Sequence, residues 1–299
     1  MRVWVPYPEV VGQLPESLSV DVYDGTGPVP ETIGEVECYV APYSFDRAPL
    51  ELLGRMPRLR VVQTLTAGYE HVLPYLPDRV TLCNAGGLHD TSTAELAVAL
   101  MLAARRGLPD FVRGQDAGQW RHRRWESLAD ATVLIVGYGG IGAAVERRLA
   151  GFEVEVRKVA RRPRAGVAGL DALPELLPRA DVVVICVPLT EHTQGMVDAR
   201  FLARMRDGGL LVNVARGAVV ETAALVPEVL AGRLRAALDV TEPEPLPPGH
   251  PLWTAPGVLL TPHVGGDSTA FLPRARRLIV DQLRRLAAGQ PPHHVVTSR

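Results

Sequence analysis

A glycine-rich loop near the middle of the chain has the residue types and spacing of a phosphate-binding turn. It comprises Gly137, Tyr138, Gly139, Gly140, Ile141 and Gly142. An apolar run at 133–136 precedes this loop, and a helical pattern at 143–149 follows it. The first glycine permits a tight turn, the second lets the backbone approach a pyrophosphate, and the third lets helix and strand pack closely. Such a loop between a strand and a helix predicts a dinucleotide site at the helix N-terminus.

The residues after the next predicted strand, at 154–159, bear on the choice between the two nicotinamide cofactors. An acidic residue there would bind the ribose 2′-hydroxyl and repel a 2′-phosphate. The chain instead has Ala160, followed by an arginine cluster that comprises Arg161, Arg162 and Arg164. Guanidinium groups suit a phosphate, so we expect NADP(H) to be preferred and NAD(H) to be possible. A solvated basic turn is the alternative in a chain so rich in arginine.

Three further segments follow predicted strands, at the edge where open parallel sheets bind ligands. They span 213–217, 238–247 and 260–266. Their chemically competent side chains are Arg216, His263 and one of two glutamates, Glu242 or Glu244. Histidine titrates near neutral pH and can transfer a proton, and arginine can hold a carboxylate. Each residue alone is more often an ordinary loop residue, but the three in this order suggest a catalytic set.

Lysine and cysteine usage removes several kinds of chemistry. Lys158 is the single lysine among 32 basic residues, and it lies in a predicted strand without a Gly-Lys-Ser/Thr context. This excludes a Walker A loop and argues against Schiff-base catalysis. Cys38, Cys83 and Cys186 are far apart and odd in number. We expect them to be buried thiols, with no disulfide and no metal site.

The composition is that of an ordinary globular protein. The net charge is −1 and 47% of the residues are hydrophobic, so we expect no nucleic-acid partner. No apolar run approaches the roughly 20 residues that a membrane helix needs. The first residues lack the apolar core of a signal peptide, and we expect a cytoplasmic location. A length of 299 residues favours two domains.

Two successive α/β patterns run along the chain. Strands are predicted at 3–5, 20–23, 38–40, 61–65 and 80–83, and then at 132–136, 154–159, 182–187, 210–214, 236–240 and 258–260. Helical spacing occurs at 50–56, 69–76, 96–104, 141–150 and 268–288. This alternation predicts parallel sheets, and the continuous Val, Ile and Leu runs of the second unit predict a sheet covered on both faces.

The order and spacing of these motifs resemble the D-isomer-specific 2-hydroxyacid dehydrogenase family, which includes glyoxylate/hydroxypyruvate reductases and phosphoglycerate dehydrogenases. Besides the glycine loop and the three strand-end segments, the resemblance includes 66–71, 84–87, 94–95 and 187–190. It implies an α/β fold of two Rossmann-like or flavodoxin-like parallel-sheet domains, with the cofactor domain inserted into the substrate domain. It places the dinucleotide-binding domain at 93–267 and the discontinuous substrate-binding domain at 1–92 and 268–299.

The same resemblance implies catalytic roles for Arg216, Glu244 and His263. Glu244 is chosen over Glu242 because it lies five residues after Asp239, as the family acid does. His263 would deliver a proton to the carbonyl oxygen as hydride arrives, and a neighbouring carboxylate would stabilise and orient the imidazolium. Arg216 would hold the substrate carboxylate and polarise the carbonyl.

Further positions follow from the resemblance. The backbone of Ala67 and Gly68 would also bind the substrate carboxylate, and Asp239 would face the nicotinamide amide. Val187 and Pro188 would lie beside the cofactor. Aromatic residues that could line the substrate pocket are Tyr43, Phe45 and Tyr69, although such residues are more often core or rim residues.

The resulting prediction is an NADP(H)-preferring oxidoreductase, active on a small 2-keto or D-2-hydroxy acid such as glyoxylate or hydroxypyruvate. A phosphoglycerate dehydrogenase-like enzyme and a non-enzymatic, dinucleotide-sensing corepressor are the alternatives. The chain ends soon after its last helical pattern, which favours an enzyme over a recruiting protein. We also expect a homodimer, with the apolar stretch at 96–104 and the connector at 115–126 as candidate contacts.

Overall fold

A computed structural model describes residues 1–44 and 46–297. The chain divides into two compact units. One, here called the terminal domain, consists of the described residues of Met1–His89 and Thr269–Arg299. The other, the inserted domain, is Asp90–Ser268. Residues 90–92, which the sequence placed with the first segment, belong to the first turn of the helix that opens the inserted domain.

The strands and helices alternate along most of the chain. The strands are β1 (Arg2–Val5), β2 (Ser19–Val22), β3 (Cys38–Val40), β4 (Val61–Gln63), β5 (Thr81–Cys83), β6 (Thr132–Val136), β7 (Glu155–Val159), β8 (Val182–Ile185), β9 (Leu210–Asn213), β10 (Arg235–Leu238), β11 (Val258–Leu260) and β12 (Val295–Thr297). The helices are α1 (Ala48–Glu51), α2 (Asp90–Arg105), α3 (Leu108–Asp116), α4 (Gly140–Leu149), α5 (Leu173–Leu176), α6 (Ala199–Arg204), α7 (Thr222–Leu230) and α8 (Phe271–Ala287).

The terminal domain is built on a sheet with the strand order β12-β5-β4-β3-β1-β2. β12 is antiparallel to β5, and the other neighbouring strands are parallel. Helix α8 buries Phe271, Ala275, Ile279 and Leu283 in the same core as the strand residue Val5, while other positions of the helix carry arginines. This is the amphipathic pattern predicted at 268–288, and it shows why the end of the chain returns to the domain in which the chain begins.

A buried pair of glutamines connects α8 to the loops that follow β4 and β5. Gln63 and Gln282 are 1% and 2% exposed. Gln282 Nε2 donates to Gln63 Oε1 at 2.7 Å, and Gln63 Nε2 donates to the carbonyl oxygens of Thr64 at 2.8 Å and Asn84 at 3.0 Å. Buried amides must be hydrogen-bonded, and here Gln282 satisfies the oxygen of Gln63 while backbone carbonyl groups satisfy its nitrogen. The pair therefore holds the start of both loops in place.

The inserted domain is built on a parallel sheet with the order β11-β10-β9-β8-β6-β7. The strands β8 and β9 are buried along their whole length, as the continuous aliphatic runs predicted. Helix α2 packs on α4 and on one face of this sheet, and it buries Ala97, Leu100 and Met101 there. The apolar stretch at 96–104 thus packs largely within its own domain.

Two further expectations from the sequence concern membrane-spanning helices and the three cysteines. In the described part of the chain, no helix has both the length and the apolar composition needed to cross a membrane. Cys38 and Cys83 are buried thiols and Cys186 is partly exposed. Burial raises the pKa of Cys38 and of Cys186 to about 12, and that of Cys83 to about 11. These thiols therefore stay protonated at neutral pH.

Candidate active site

The glycine loop connects β6 to α4, and two of its glycines are required by close backbone packing. Gly137 has φ +100°, and a methyl group there would lie 2.6 Å from the backbone nitrogen of Val187. A methyl group at Gly142 would lie 2.3 Å from the carbonyl oxygen of Gly137. Because these two positions have no side chain, the first turn of α4 packs closely against the end of β6. Val187, which follows β8, lies directly beside the loop.

Gly139 differs from its neighbours because a methyl group there would meet no described atom within 4 Å. It immediately precedes α4, whose first N–H groups lack partners within the helix and carry the positive end of its dipole. Gly140, by contrast, lies against Asp90 of α2. The open side of the loop is therefore at Gly139, and its chemistry fits a pyrophosphate there.

The arginines that follow β7 lie on an ordered turn. Ala160 N donates to the carbonyl oxygen of Ala168 at 3.0 Å, which closes a loop between these residues. Arg161 and Arg162 are exposed on that loop, and neither forms an ion pair within residues 1–44 and 46–297. The structure thus provides two positively charged side chains near the end of β7, where a Rossmann fold binds the adenosine ribose.

His263 and Glu244 form a hydrogen-bonded pair of titratable side chains at the carboxyl edge of the sheet. His263 Nδ1 lies 2.5 Å from Glu244 Oε1, and the two side chains are 30% and 37% exposed. Glu244 follows β10 and His263 follows the adjacent strand β11. Among the described residues, Glu244 and not Glu242 contacts the histidine side chain. The hydrogen bond orients the ring and leaves Nε2 as the nitrogen directed away from the carboxylate.

The backbone at His263 is held in an uncommon conformation. Its φ is +54°, in the left-handed region that most residues avoid. Its N–H donates to the carbonyl oxygens of Asp239 at 2.8 Å and Thr261 at 3.1 Å. Left-handed non-glycine residues persist only where the surroundings enforce them, and they concentrate at functional sites.

Asp239 is the residue that enforces this conformation. Its side chain is almost fully buried, at 2% exposure. Oδ1 accepts hydrogen bonds from Thr261 Oγ1 at 2.6 Å and Val264 N at 2.9 Å, and Oδ2 accepts one from Gly265 N at 2.9 Å. The carboxylate thus binds the loop on both sides of His263. Thr261 was not predicted from the sequence, although its position directly after β11, as Asp239 directly follows the adjacent strand β10, is a usable signal.

Arg216 follows β9, the next strand along the sheet from β10. Its Nη1 donates to the carbonyl oxygen of Ala215 at 2.7 Å, and its own carbonyl oxygen accepts a hydrogen bond from Asn213 Nδ2 at 3.0 Å. A methyl group at Gly217 would lie 1.8 Å from the carbonyl oxygen of Thr241, so this loop packs tightly on the one that carries Glu244. The three predicted catalytic side chains therefore follow three adjacent strands.

The predicted substrate loop of the terminal domain is also well ordered. Asn84 Nδ2 donates to the carbonyl oxygen of Ala67 at 2.6 Å, and Thr66 Oγ1 donates to that of Gly68 at 2.6 Å. These bonds engage the carbonyl groups of Ala67 and Gly68. Among the suggested pocket aromatics, Tyr43 contacts Phe271 with the ring centroids 4.3 Å apart and the rings tilted by 37°. Tyr69 packs at the margin of the terminal-domain core, and Phe45 lies outside the described residues.

Pro188 is the other predicted residue beside the cofactor. It follows Val187 and is exposed, and its carbonyl oxygen accepts a hydrogen bond from Thr193 Oγ1 at 2.6 Å. The structure therefore places Val187 against the glycine loop and Pro188 at the surface just beyond it.

Comparisons with known proteins identify the family of this chain. The family model described as "D-isomer specific 2-hydroxyacid dehydrogenase, NAD binding domain" matches residues 98–265. A glyoxylate reductase from Thermofilum pendens is 32% identical over 270 residues, which cover 84% of this chain and 78% of the relative. The chain belongs to the D-isomer specific 2-hydroxyacid dehydrogenase family.

Two solved structures of this kind resemble the whole chain. One is a D-isomer specific 2-hydroxyacid dehydrogenase from Xanthobacter autotrophicus in complex with NADPH and MES, with a TM-score of 0.82, 32% identity and coverage of 100% of this chain and 98% of that one. The other is an NADPH-dependent glyoxylate/hydroxypyruvate reductase from Sinorhizobium meliloti in complex with NADP and malonate, with a TM-score of 0.81, 28% identity and coverage of 99% and 97%. The predicted fold, a cofactor domain inserted into a substrate domain, is confirmed.

Membership of this dehydrogenase family makes the protein an oxidoreductase of small 2-keto or 2-hydroxy acids. The match to the NAD-binding domain assigns a nicotinamide cofactor to the inserted domain. The residues present fit that group, because a methyl group at Gly139 would meet no described atom within 4 Å and Gly139 immediately precedes α4. When bound, the cofactor supplies or accepts the hydride.

Substitutions at two glycines of the loop should affect different properties, one the stability of the fold and the other the affinity for the cofactor. Gly137→Ala adds a methyl group against the backbone of Val187 at a position with φ +100°, at a cost of about 1–3 kcal/mol. We therefore expect its thermal unfolding midpoint to fall. Gly139→Ala meets no described atom within 4 Å and should unfold like the wild type, but bind NADPH about tenfold more weakly because the pyrophosphate loses hydrogen bonds. Fluorescence titration with NADPH measures this, and wild-type affinity in Gly139→Ala would contradict the assigned loop.

Proposed function

We propose that the protein is an NADP(H)-preferring reductase of a small 2-keto acid such as glyoxylate or hydroxypyruvate. The observation that carries this proposal is the 2.5 Å contact between His263 Nδ1 and Glu244 Oε1, on a loop that Asp239 binds with three hydrogen bonds. The relatives named as glyoxylate reductases support the substrate class.

His263 is the proton donor in this mechanism. Its Nδ1 faces Glu244, so Nε2 is the atom that delivers a proton to the carbonyl oxygen as hydride reaches the carbonyl carbon. The Glu244 carboxylate stabilises the charged imidazolium and keeps the ring in one orientation. In the reverse direction, the same nitrogen removes the hydroxyl proton of the 2-hydroxy acid.

Arg216 and the loop of Ala67 and Gly68 hold the substrate. The guanidinium of Arg216 can form two parallel hydrogen bonds to a carboxylate, which fixes both distance and orientation. It also places positive charge near the carbonyl oxygen, where negative charge develops during reduction. The backbone N–H groups of Ala67 and Gly68 would supply the second contact to the carboxylate, as the family resemblance implies.

The acid–base pair can be tested with a matched set of variants. We expect His263→Ala to lower kcat for glyoxylate or hydroxypyruvate reduction by about 10²–10⁴-fold, because proton delivery to the developing oxyanion is lost. Glu244→Gln keeps a hydrogen-bonding side chain but removes the charge, and it should lower kcat less. Both variants should bind NADPH as the wild type does.

The control for this set is Glu242→Gln, which alters the other glutamate of the same loop and should keep the wild-type rate. A wild-type rate in His263→Ala would show that the proton donor is misassigned. A wild-type protein that binds the cofactor but reduces no 2-keto acid would favour the dinucleotide-sensing alternative.

Preference for NADP(H) rests on Arg161 and Arg162, which are exposed after β7 where an acidic residue is missing. In the variant with both arginines changed to alanine, we expect the KM for NADPH to rise about tenfold or more, since hydrogen bonds to a charged group contribute about 1.5–3 kcal/mol each. The KM for NADH serves as the internal control and should change little. Equal effects on both cofactors would support the solvated basic turn.

The homodimer is proposed to form through α3 and the connector that follows it. Leu108, Phe111, Val112 and Trp120 are 48%, 38%, 56% and 96% exposed, and together they make an apolar surface that water disfavours. Because α2, which contains residues 96–104, packs within its own domain, we propose this surface as the dimer contact in place of 96–104. A cytoplasmic location and the absence of nucleic-acid and membrane partners stay predictions from composition.

Sedimentation velocity tests the dimer. The wild type should sediment as a dimer and Val112→Glu should shift it toward the monomer, because the added charge would have to be buried in the interface. The control is Leu230→Glu, at a residue that is 52% exposed at the end of α7. A monomeric wild type at assay concentration would contradict the dimer.

A further inference from the structure

Tyr138 is the second residue of the glycine loop, and its side chain is tied to two other elements. Its hydroxyl donates a hydrogen bond to the Glu146 carboxylate on α4. The other oxygen of that carboxylate accepts one from Lys158 Nζ on β7, at 2.6 Å. The hydrogen bond to Glu146 raises the pKa of Tyr138, and that of Lys158 is raised by its own bond to Glu146. The ring is therefore held, with its hydroxyl protonated, between the helix and the strand that flank the loop.

Arg164, the third arginine after β7, lies on this ring. Its guanidinium carbon is 5.3 Å from the ring centroid, within the range of a cation–π contact. Its Nη2 donates to the carbonyl oxygen of Tyr138 at 2.6 Å, and its Nη1 donates to that of Arg162 at 3.4 Å. Arg164 thus bridges the arginine loop and the glycine loop through both its charge and its hydrogen bonds.

The backbone around Arg164 forms a closed turn. Arg164 N donates to the carbonyl oxygen of Val167 at 3.0 Å, and Val167 N donates back to that of Arg164 at 2.8 Å. Ala168 N donates to the carbonyl oxygen of Lys158 at 2.9 Å, which joins the end of the turn to β7. The backbone that carries the guanidinium of Arg164 therefore has a defined position before any ligand arrives.

A guanidinium has five N–H groups in a planar fork. Two of those of Arg164 are used in the contacts to Tyr138 and Arg162, and the others have no acceptor in the described part of the chain. Arg161, Arg162 and Arg164 are all exposed on this loop. Of these three side chains, only that of Arg164 has hydrogen bonds to described residues, so Arg161 and Arg162 would lose more side-chain freedom on binding a phosphate.

We propose that Arg164, held on the ring of Tyr138, binds the 2′-phosphate of the adenosine ribose directly, and that Tyr138 acts as its positioning residue. This inference rests on the proposed preference for NADP(H). It extends the phosphate site from Arg161 and Arg162 to a third arginine that contacts the glycine loop, and it gives the single lysine a role in holding the tyrosine. The alternative is that Arg164 only fastens the two loops together.

Calorimetric titration with two nucleotide fragments separates these roles. Adenosine 2′,5′-bisphosphate carries the 2′-phosphate, and adenosine 5′-monophosphate lacks it. We expect the wild type to bind the bisphosphate more tightly. Arg164→Ala should weaken bisphosphate binding about tenfold or more, since a charge-assisted hydrogen bond is lost, and change monophosphate binding less than twofold.

Conservative variants keep the inference testable if Arg164→Ala unfolds, which thermal unfolding would show. Arg164→Gln can still donate a hydrogen bond but has no charge, and it should lose the selectivity for the bisphosphate. Tyr138→Leu removes the ring and should reduce bisphosphate affinity several-fold, whereas Tyr138→Phe keeps the ring and should stay closer to the wild type. Arg157→Ala is the control, because Arg157 lies on β7, the strand that precedes the arginine loop, and pairs with Glu155. It should leave the selectivity unchanged.

The contradicting outcomes are distinct. Equal losses for both fragments in Arg164→Ala and Arg164→Gln would show that Arg164 only fastens the loops. Selectivity that survives in both but disappears when Arg161 and Arg162 are replaced would overturn the role of Arg164 and leave the cofactor preference intact. A wild type that binds both fragments equally would contradict the preference itself.

Discussion

The candidate active site depends on the buried carboxylate of Asp239 and the three donors that surround it. A buried carboxylate is costly unless it accepts hydrogen bonds. The three hydrogen bonds to Asp239 all come from the loop that carries His263. Those bonds enforce a left-handed backbone at His263 and direct its Nδ1 toward Glu244. Since β9, β10 and β11 are parallel neighbours, their carboxyl ends lie along one edge, and the loop of Arg216 packs on that of Glu244. The acid–base pair is thus positioned by the sheet and oriented by one aspartate.

In the proposed reaction, anion recognition falls almost entirely to arginine and to backbone N–H groups. The single lysine pairs with Glu146, beside Tyr138. Guanidinium groups hold carboxylates and phosphates through planar pairs of hydrogen bonds, and they keep their charge when partly buried. Arginines at two sites on the same domain, after β7 and after β9, fit the two anionic ends of the proposed reaction, the cofactor phosphate and the substrate carboxylate.

Glycines mark the places where backbones must approach each other. Gly137, Gly142 and Gly217 each face a backbone atom at a distance that excludes any side chain, whereas Gly139 faces open space. The first three are needed for folding and the fourth fits the needs of a ligand. The glycine spacing in the sequence does not separate these two reasons, because the distinction lies in what stands opposite each residue.

The sequence by itself determined the fold class, the glycine loop, and the strand-end positions of Arg216, Glu244 and His263, because local periodicity and turn residues are written along the chain. The choice of Glu244 over Glu242 came from resemblance, and the contact with His263 Nδ1 is a matter of tertiary structure. Three contacts are visible only in the tertiary structure. Gln282 hydrogen-bonds to Gln63, the Asp239 carboxylate binds the loop that carries His263, and Arg164 contacts Tyr138. Each of these contacts joins two segments of the chain that come together only because of the strand order and the paths of the loops. Local sequence patterns carry no information about such contacts.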